Sequence, residues 1–237
     1  MTPTLADRIA TIAWPDVADR LDAVGHAVLP ALLTPAETRA AAALFDDGTR
    51  FRREVVMQRH GYGQGVYRYF ADPLPDLVAA LRAGLYPPLA AVANAWAGRL
   101  GSDVRFPAAH ADYRARCHAA GQTRPTPLLL RYGPGDYNCL HQDLYGDEVF
   151  PIQAVALLSR PGDDFTGGEF VLVEQRPRRQ SRAHVVPLGQ GDVALFAVRD
   201  RPVQGGRGWY RAQMRHGVAT LHGGSRTTLG VIFHDAA

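Results

Sequence analysis

The sequence predicts an α+β fold, with helices gathered in the first half to buttress an antiparallel β-structure built by the second. Three observations predict it. A capped, alanine-rich helix and a long helical stretch both fall before residue 125. From Thr126 onward, short apolar runs follow one another between Gly, Pro and Asp turns. No helical period interrupts those runs. The 237 residues suffice for one well-buried domain and contain no stretch of linker composition. A single domain over 1–237 is therefore expected, with 1–125 mainly helical support and lid, and 126–237 the β core.

The elements follow in order. "LTPAETRAAAALF" begins a helix with Thr34 as N-cap, Pro35 at the first helical position and Glu37 completing a capping box. "HGYGQGVYRYF" (His60 to Phe70), rich in glycine and tyrosine, reads as a turn and a short strand. Pro75 to Leu100 repeats apolar residues at helical spacing, and Pro87 and Pro88 are expected to break or kink it into two pieces. Beyond Thr126 the strand segments are "TPLLLRY", "YNCLH", "PIQAVALLS", "GGEFVLVE", "HVVPL", "DVALFAV", "QMRHGVATL" and "RTTLGVIFH". Strands so closely spaced argue for an antiparallel sandwich or barrel.

Composition narrows the function classes. Hydrophobic residues make up 46%, and no apolar run reaches the roughly 18 residues that would cross a bilayer. The opening "MTPTLADRIATIAWPDVADRLD" carries charges throughout and lacks the apolar core of a signal peptide, so a cytoplasmic protein with no membrane partner is expected. Cys117 and Cys139 have no metal-type spacing and read as free thiols in a reducing compartment, most simply as small buried hydrophobes. Formal net charge is +3 and every basic side chain except histidine is arginine. Arginines cluster in "RFRRE" (Arg50 to Glu54), "RPRRQSR" (Arg176 to Arg182) and "RDRPVQGGRGWYR" (Arg199 to Arg211). Guanidinium groups grip phosphates bidentately, so these are candidate nucleic-acid contacts, weighed against ordinary solvated loops.

The stretch "NCLHQDLYGDEVFP" carries the chemistry. His141 and Asp143 at i and i+2 on an extended strand point to one side and can converge on a metal ion. Alone, such a triplet is far more often a surface histidine near a carboxylate. His216, His222 and His234 are candidate third ligands. "QMRHGVATL" and "RTTLGVIFH" are joined through His222 to Gly224, which predicts a hairpin pairing Leu221 with Ser225. In that register His216, Val218 and Thr220 share a face with Arg226, Thr228 and Gly230. His222 then sits in the turn and His234 near the last residue, which leaves His216. Two imidazoles and a carboxylate on one face of a metal keep the other positions open, as in non-haem Fe(II) oxygenases. A buried Arg226 requires an anion: the carboxylate of a bound small molecule, or an internal acid such as Asp192 or Glu169.

The order HxD, "GGEF" (Gly167 to Phe170), "GDVALF" (Gly191 to Phe196), then a histidine followed ten positions later by arginine resembles the Fe(II)/2-oxoglutarate dioxygenases of the prolyl-hydroxylase-like branch. Their core is a double-stranded β-helix (jelly-roll). "HGYGQGVYRYF", "RYGPGDYNCLHQDLYG", "DFTGGEFVLVEQRPRRQSR" and "RHGVATLHGGSRTTLGVIFHDA" further resemble a bacterial family catalogued as nucleic-acid oxygenases, proposed to demethylate damaged DNA. The resemblance implies that His141, Asp143 and His216 hold Fe(II) and that Arg226 binds the far carboxylate of 2-oxoglutarate. It implies also that Tyr132 and Thr228 border that cosubstrate. Where some prolyl hydroxylases place a second cosubstrate tyrosine, "QAVALLS" offers only leucines, and Gln153 is the candidate polar substitute.

The implied reaction consumes O2 and 2-oxoglutarate, forms succinate and CO2, and hydroxylates a C–H bond; an N-methyl carbon so hydroxylated leaves as formaldehyde. Three readings of the substrate follow. In a nucleic-acid demethylase, Tyr62, Tyr67 and Tyr69 stack an extruded base while Arg207 and Arg211, with Arg178, Arg179 and Arg182, grip phosphates. In a protein (prolyl-type) or small-molecule hydroxylase, the Tyr62 to Phe70 segment closes as a lid. The third is a non-catalytic binding module, against which the intact triad and Arg226 speak. More plainly, Tyr67, Tyr69 and Phe70 are alternate faces of a packed strand.

Overall fold

The computed structural model describes residues 3–237. Five α-helices lie among them: α1 (Leu5–Ala10), α2 (Trp14–Val24), α3 (Pro35–Ala43), α4 (Asp76–Arg99) and α5 (His110–Ala119). The capping box expected at α3 is present: the Thr34 hydroxyl accepts from the Glu37 backbone, and Glu37 accepts the Thr34 N–H at 2.8 Å. The break expected at Pro87 and Pro88 is absent, and α4 runs through both as one helix. The Pro87 ring is exposed and the Pro88 ring half-buried, and the carbonyls they leave unpaired belong to exposed Ala83 and partly exposed Gly84. On the opposite side Leu81, Leu85, Tyr86, Leu89, Ala93 and Trp96 are buried, and that burial offsets the missing bonds. None of these helices is long and apolar enough to cross a membrane.

The first half also contributes strands, of which one within His60 to Phe70 is expected and the others add to its mainly helical role. These are β1 (His26–Leu29), β2 (Phe51–Val56), β3 (Gly63–Gln64) and β4 (Val66–Phe70). The second half supplies β5 (Leu128–Tyr132), β6 (Tyr137–His141), β7 (Ile152–Leu157), β8 (Phe165–Gly167), β9 (Phe170–Gln175) and β10 (Arg182–Val186). It continues with β11 (Val193–Ala197), β12 (Asp200–Gly205), β13 (Gly208–Val218), β14 (Leu221–Gly224) and β15 (Arg226–Val231). Each predicted strand segment thus contains a strand. A major sheet runs β1-β11-β7-β15-β5-β4-β2, a minor sheet β10-β9-β13-β6-β3 with β12 beside β13, and β14 pairs with β8. The major sheet's alternation sets the layers. Leu129, Ala154, Ala156, Leu229 and Val231 join the core formed with the helices, while Leu128, Leu130, Tyr132, Val155 and Thr228 face a cavity shared with the minor sheet. This is the double-stranded β-helix architecture.

The hairpin expected between the His216 and Arg226 strands does not form. β13 pairs with β9 and β6 in the minor sheet, whereas β15 pairs with β5 and β7 in the major one. The chain crosses between sheets through β14. Gly224 makes the crossing possible: its φ is 80°, and a Cβ there would stand 2.0 Å from the Asp164 carbonyl oxygen. His216 and Arg226 therefore look into one cavity from opposite walls, not from one face of a hairpin.

Candidate metal centre and cosubstrate pocket

The cavity measures about 670 Å³ and opens between the sheets. At its centre His141, Asp143 and His216 bring one ligand atom each to within 4.8 Å of one another. Cross-strand pairing of β6 with β13 sets His141 directly opposite His216, with ring centroids 4.1 Å apart. Asp143 reaches the same point from just beyond β6, placing its oxygens 3.7 Å from His141 Nε2 and 3.3 Å from His216 Nε2. His141 Nδ1 donates to the Cys139 carbonyl oxygen at 2.7 Å, which leaves Nε2 as the unprotonated atom facing Asp143. His216 is buried against the Phe196 ring at 4.8 Å, and its Nδ1 meets no acceptor.

Electrostatics keep the set in ligating form. Burial alone would raise the Asp143 carboxyl, but His216, His141 and the Tyr145 hydroxyl outweigh it and hold the group well below the usual carboxylate range. Burial, reinforced by the neighbouring His216, lowers His141 and favours neutral imidazole. Two neutral donors brace the carboxylate: Tyr145 to Oδ1 at 2.6 Å and Gln153 to Oδ2 at 2.8 Å. Tyr69 donates in turn to the Tyr145 hydroxyl at 3.0 Å. Nitrogen and oxygen donors of this kind, deprotonated and gathered from one side, fit a divalent iron ion.

Arg226 lies on β15 opposite Tyr132, with its guanidinium 5.8 Å from the Tyr132 ring centroid and 5.9 Å from that of Phe165. It is 2% exposed, and both Nε and Nη1 lack partners. Among the described residues no carboxylate pairs with it: Asp192 instead accepts from the backbone of Ala31 and Gly189. Burial pushes the guanidinium below its ordinary value. Buried Thr228 lines the same end of the cavity, and the Tyr132 hydroxyl accepts from Asn138 at 3.3 Å. Gln153, expected beside the cosubstrate, lines the cavity but spends its amide N–H on Asp143.

A family model described as "Oxygenase, catalysing oxidative methylation of damaged DNA" matches residues 65–236. The chain belongs to that family. The oxygenase is also 51% identical over 191 residues to an uncharacterized protein of Mycobacterium tuberculosis (strain CDC 1551 / Oshkosh), covering 78% of this chain and 82% of that one. Its fold is similar to a Pseudomonas putida prolyl-4-hydroxylase, with TM-score 0.58, 16% identity, and coverage of 94% of this chain and 100% of that chain. It is similar also to an oxidoreductase of the 2OG-Fe(II) oxygenase family from Burkholderia pseudomallei, with TM-score 0.57, 18% identity, and coverage of 96% and 94%.

The expected substrate residues divide. Tyr62, half exposed, lines the mouth of the oxygenase cavity together with Tyr67 and Tyr69, but the Tyr69 ring is buried and its hydroxyl is committed to Tyr145. Arg207 and Arg211 do not line it; they sit on the β12–β13 hairpin, whose strands pair outward from the minor sheet. Arg178, Arg179 and Arg182 lie around the β9–β10 turn, also outside the lining. The arginines that do line the mouth are Arg52, Arg53 and Arg124. The "RFRRE" cluster signalled the first two; nothing in the sequence singles out Arg124. Tyr145 was likewise missed, although it continues the i, i+2 spacing of His141 and Asp143. His222, on β14, stands outside the triad, and His234 is fully buried.

Proposed function

We propose that the oxygenase uses Fe(II), 2-oxoglutarate and O2 to hydroxylate a C–H bond of a nucleic-acid base, with oxidative removal of an N-methyl group as the net reaction. The observation that carries this reading is the convergence, on one cavity, of a His-Asp-His donor set and a buried arginine without a carboxylate partner. Fe(II) and 2-oxoglutarate, when bound, would supply the oxidant, one oxygen atom of O2 going to the C–H bond and the other to succinate with release of CO2. In this reading His141, Asp143 and His216 hold the iron. The Cys139 carbonyl fixes the tautomer of His141, and Tyr145 and Gln153 hold the Asp143 carboxylate ionised and in place. Arg226 grips the far carboxylate of the keto acid with a charge-assisted pair, beside Tyr132 and Thr228. The Phe170 and Phe196 rings against His216 keep water from that side of the centre. A hydroxymethyl group on nitrogen then loses formaldehyde and leaves N–H.

The family's description and the arginine-lined mouth support a nucleic-acid substrate. Helical layer and β core act as one unit in this reading, because buried Asp235 binds Arg82 of α4 at 2.6 Å and Arg114 and His118 of α5 at 3.1 and 2.9 Å. Its setting is a reducing, cytoplasmic one in this reading, with Cys117 a free thiol buried as expected and Cys139 a free thiol that is exposed rather than buried. The test is succinate formation by iron-loaded protein, with methylated oligonucleotides and a peptide pool side by side. Methylated oligonucleotide is expected to raise turnover well above the uncoupled rate and to release formaldehyde; stimulation by peptide alone would replace the substrate while keeping the iron chemistry.

A further inference from the structure

We propose that Arg52, Arg53 and Arg124 form a second anion site, at the mouth of the cavity, that grips a phosphate of the primary substrate. The inference rests on the nucleic-acid reading above and adds to it the residues that recognise the strand.

A strand normally turns consecutive side chains to opposite faces. β2 escapes that rule through a bulge opposite β4: Phe51 pairs with Phe70 and Arg53 with Tyr69, so Arg52 is the extra residue. Such a bulge re-aims side chains, and here both Arg52 and Arg53 line the cavity. Arg124 joins them from the segment before β5, where its backbone pairs with Ala236. Three neighbouring arginines that point elsewhere find carboxylates: Arg50 with Asp47, Arg68 with Glu54, Arg131 with Asp46. Among the described residues none of the three at the mouth forms an ion pair with an acidic side chain. Among the described residues the one acidic side chain lining the cavity is Asp143, whose oxygens are already engaged.

The cluster is also held in place. Arg52 Nε donates to the Pro125 carbonyl oxygen at 2.9 Å, and its guanidinium lies 4.6 Å from the Tyr69 ring centroid, which leaves the terminal nitrogens for a ligand. Burial lowers the Arg52 guanidinium, Tyr69 opposes that shift, and Arg124 and Arg53 deepen it by like-charge repulsion. A phosphate relieves that repulsion. Held there, it sits two tyrosines from the metal ligands, since the Tyr69 hydroxyl meets Tyr145 and Tyr145 meets Asp143. Elsewhere the lining presents exposed Tyr62, Leu140 and Leu144. A charged group beside a flat apolar one is the chemistry of a nucleotide with its phosphate.

The experiment is fluorescence anisotropy of a labelled short single-stranded DNA from about 50 to 200 mM salt, with inorganic pyrophosphate as a second probe. Arg53 and Arg124 are exposed and unpaired, so the Arg53→Gln/Arg124→Gln variant is expected to keep its fold, checked by circular dichroism. Its Kd should rise about tenfold or more, and its salt slope should fall by roughly 1.4, about 0.7 for each phosphate contact. Arg53→Lys/Arg124→Lys should restore the slope, and Arg207→Gln/Arg211→Gln should change neither quantity. DNA that binds the glutamine variant as it binds the wild type overturns the anion site and leaves the nucleic-acid reading standing. Pyrophosphate binding that needs these two arginines, in a protein that ignores DNA, keeps the site and overturns that reading. A wild type that binds neither probe overturns both.

Discussion

Replacing Arg226 by methionine should make the ligand-free protein more stable and leave it unable to respond to 2-oxoglutarate. The guanidinium is 2% exposed, with Nε and Nη1 unpaired. An unsatisfied buried donor costs about 1–3 kcal/mol, and more when it carries charge. Exchanging buried ions for well-packed apolar side chains is neutral or stabilising by about 1–4 kcal/mol. Methionine keeps most of the volume beside the Tyr132 and Phe165 rings. In a chain of this size about 1 kcal/mol moves Tm by roughly 2–4 °C, so a rise of several degrees is expected. For the wild type, 2-oxoglutarate at about 100 times its Kd should add about 2.7 kcal/mol. The variant should lose about 2–5 kcal/mol of that affinity, roughly thirtyfold to several thousandfold. Thermal unfolding of both proteins with manganese, with and without 2-oxoglutarate, reads both effects. A variant that melts lower than wild type, yet shifts as far when 2-oxoglutarate is added, would refute the orphan-charge argument.

The metal centre gives two further expectations, both measured by titration calorimetry with a divalent ion. His141→Ala and Asp143→Ala should abolish high-affinity binding while His222→Ala leaves it unchanged, and Tyr145→Phe should weaken it about tenfold to a hundredfold by freeing one Asp143 oxygen. Acid stability has a definite sign. Burial holds His110 and His234 at about 4 in the fold against an ordinary 6.5, so the unfolded chain binds more protons between those values. Their contribution is complete above pH 6.5 and is lost as pH falls toward 4. Urea midpoints against pH should show that decline, and His110→Gln should flatten part of it.

Much of the β-half was legible because its strands are short, apolar and punctuated by turn residues, and because HxD needs only i, i+2 geometry. The β13–β15 relation was not. Hairpin logic assumes that neighbours in sequence pair, whereas β13 finds β6 and β9, partners that only the closed sandwich supplies. His216 and Arg226 share a cavity all the same, because both strands face inward for separate reasons. Pro87 and Pro88 misled for a related cause: local propensity carries no information about the buried face that holds α4 together. The bulge at Arg52 was invisible as well, since an extra residue on a strand shows only against its partner.

The bracing of the metal ligands has a practical consequence. With the His141 tautomer fixed by a carbonyl and both Asp143 oxygens held by protein donors, the frame stands before any ion arrives. A rigid frame of nitrogen and oxygen donors ranks divalent ions by the Irving–Williams order, in which iron stands below zinc and copper. Which ion occupies the centre is then decided by supply. Protein prepared in a zinc-rich medium should carry zinc in an intact frame and register as inert, and the remedy is chelation and reloading without oxygen, not refolding.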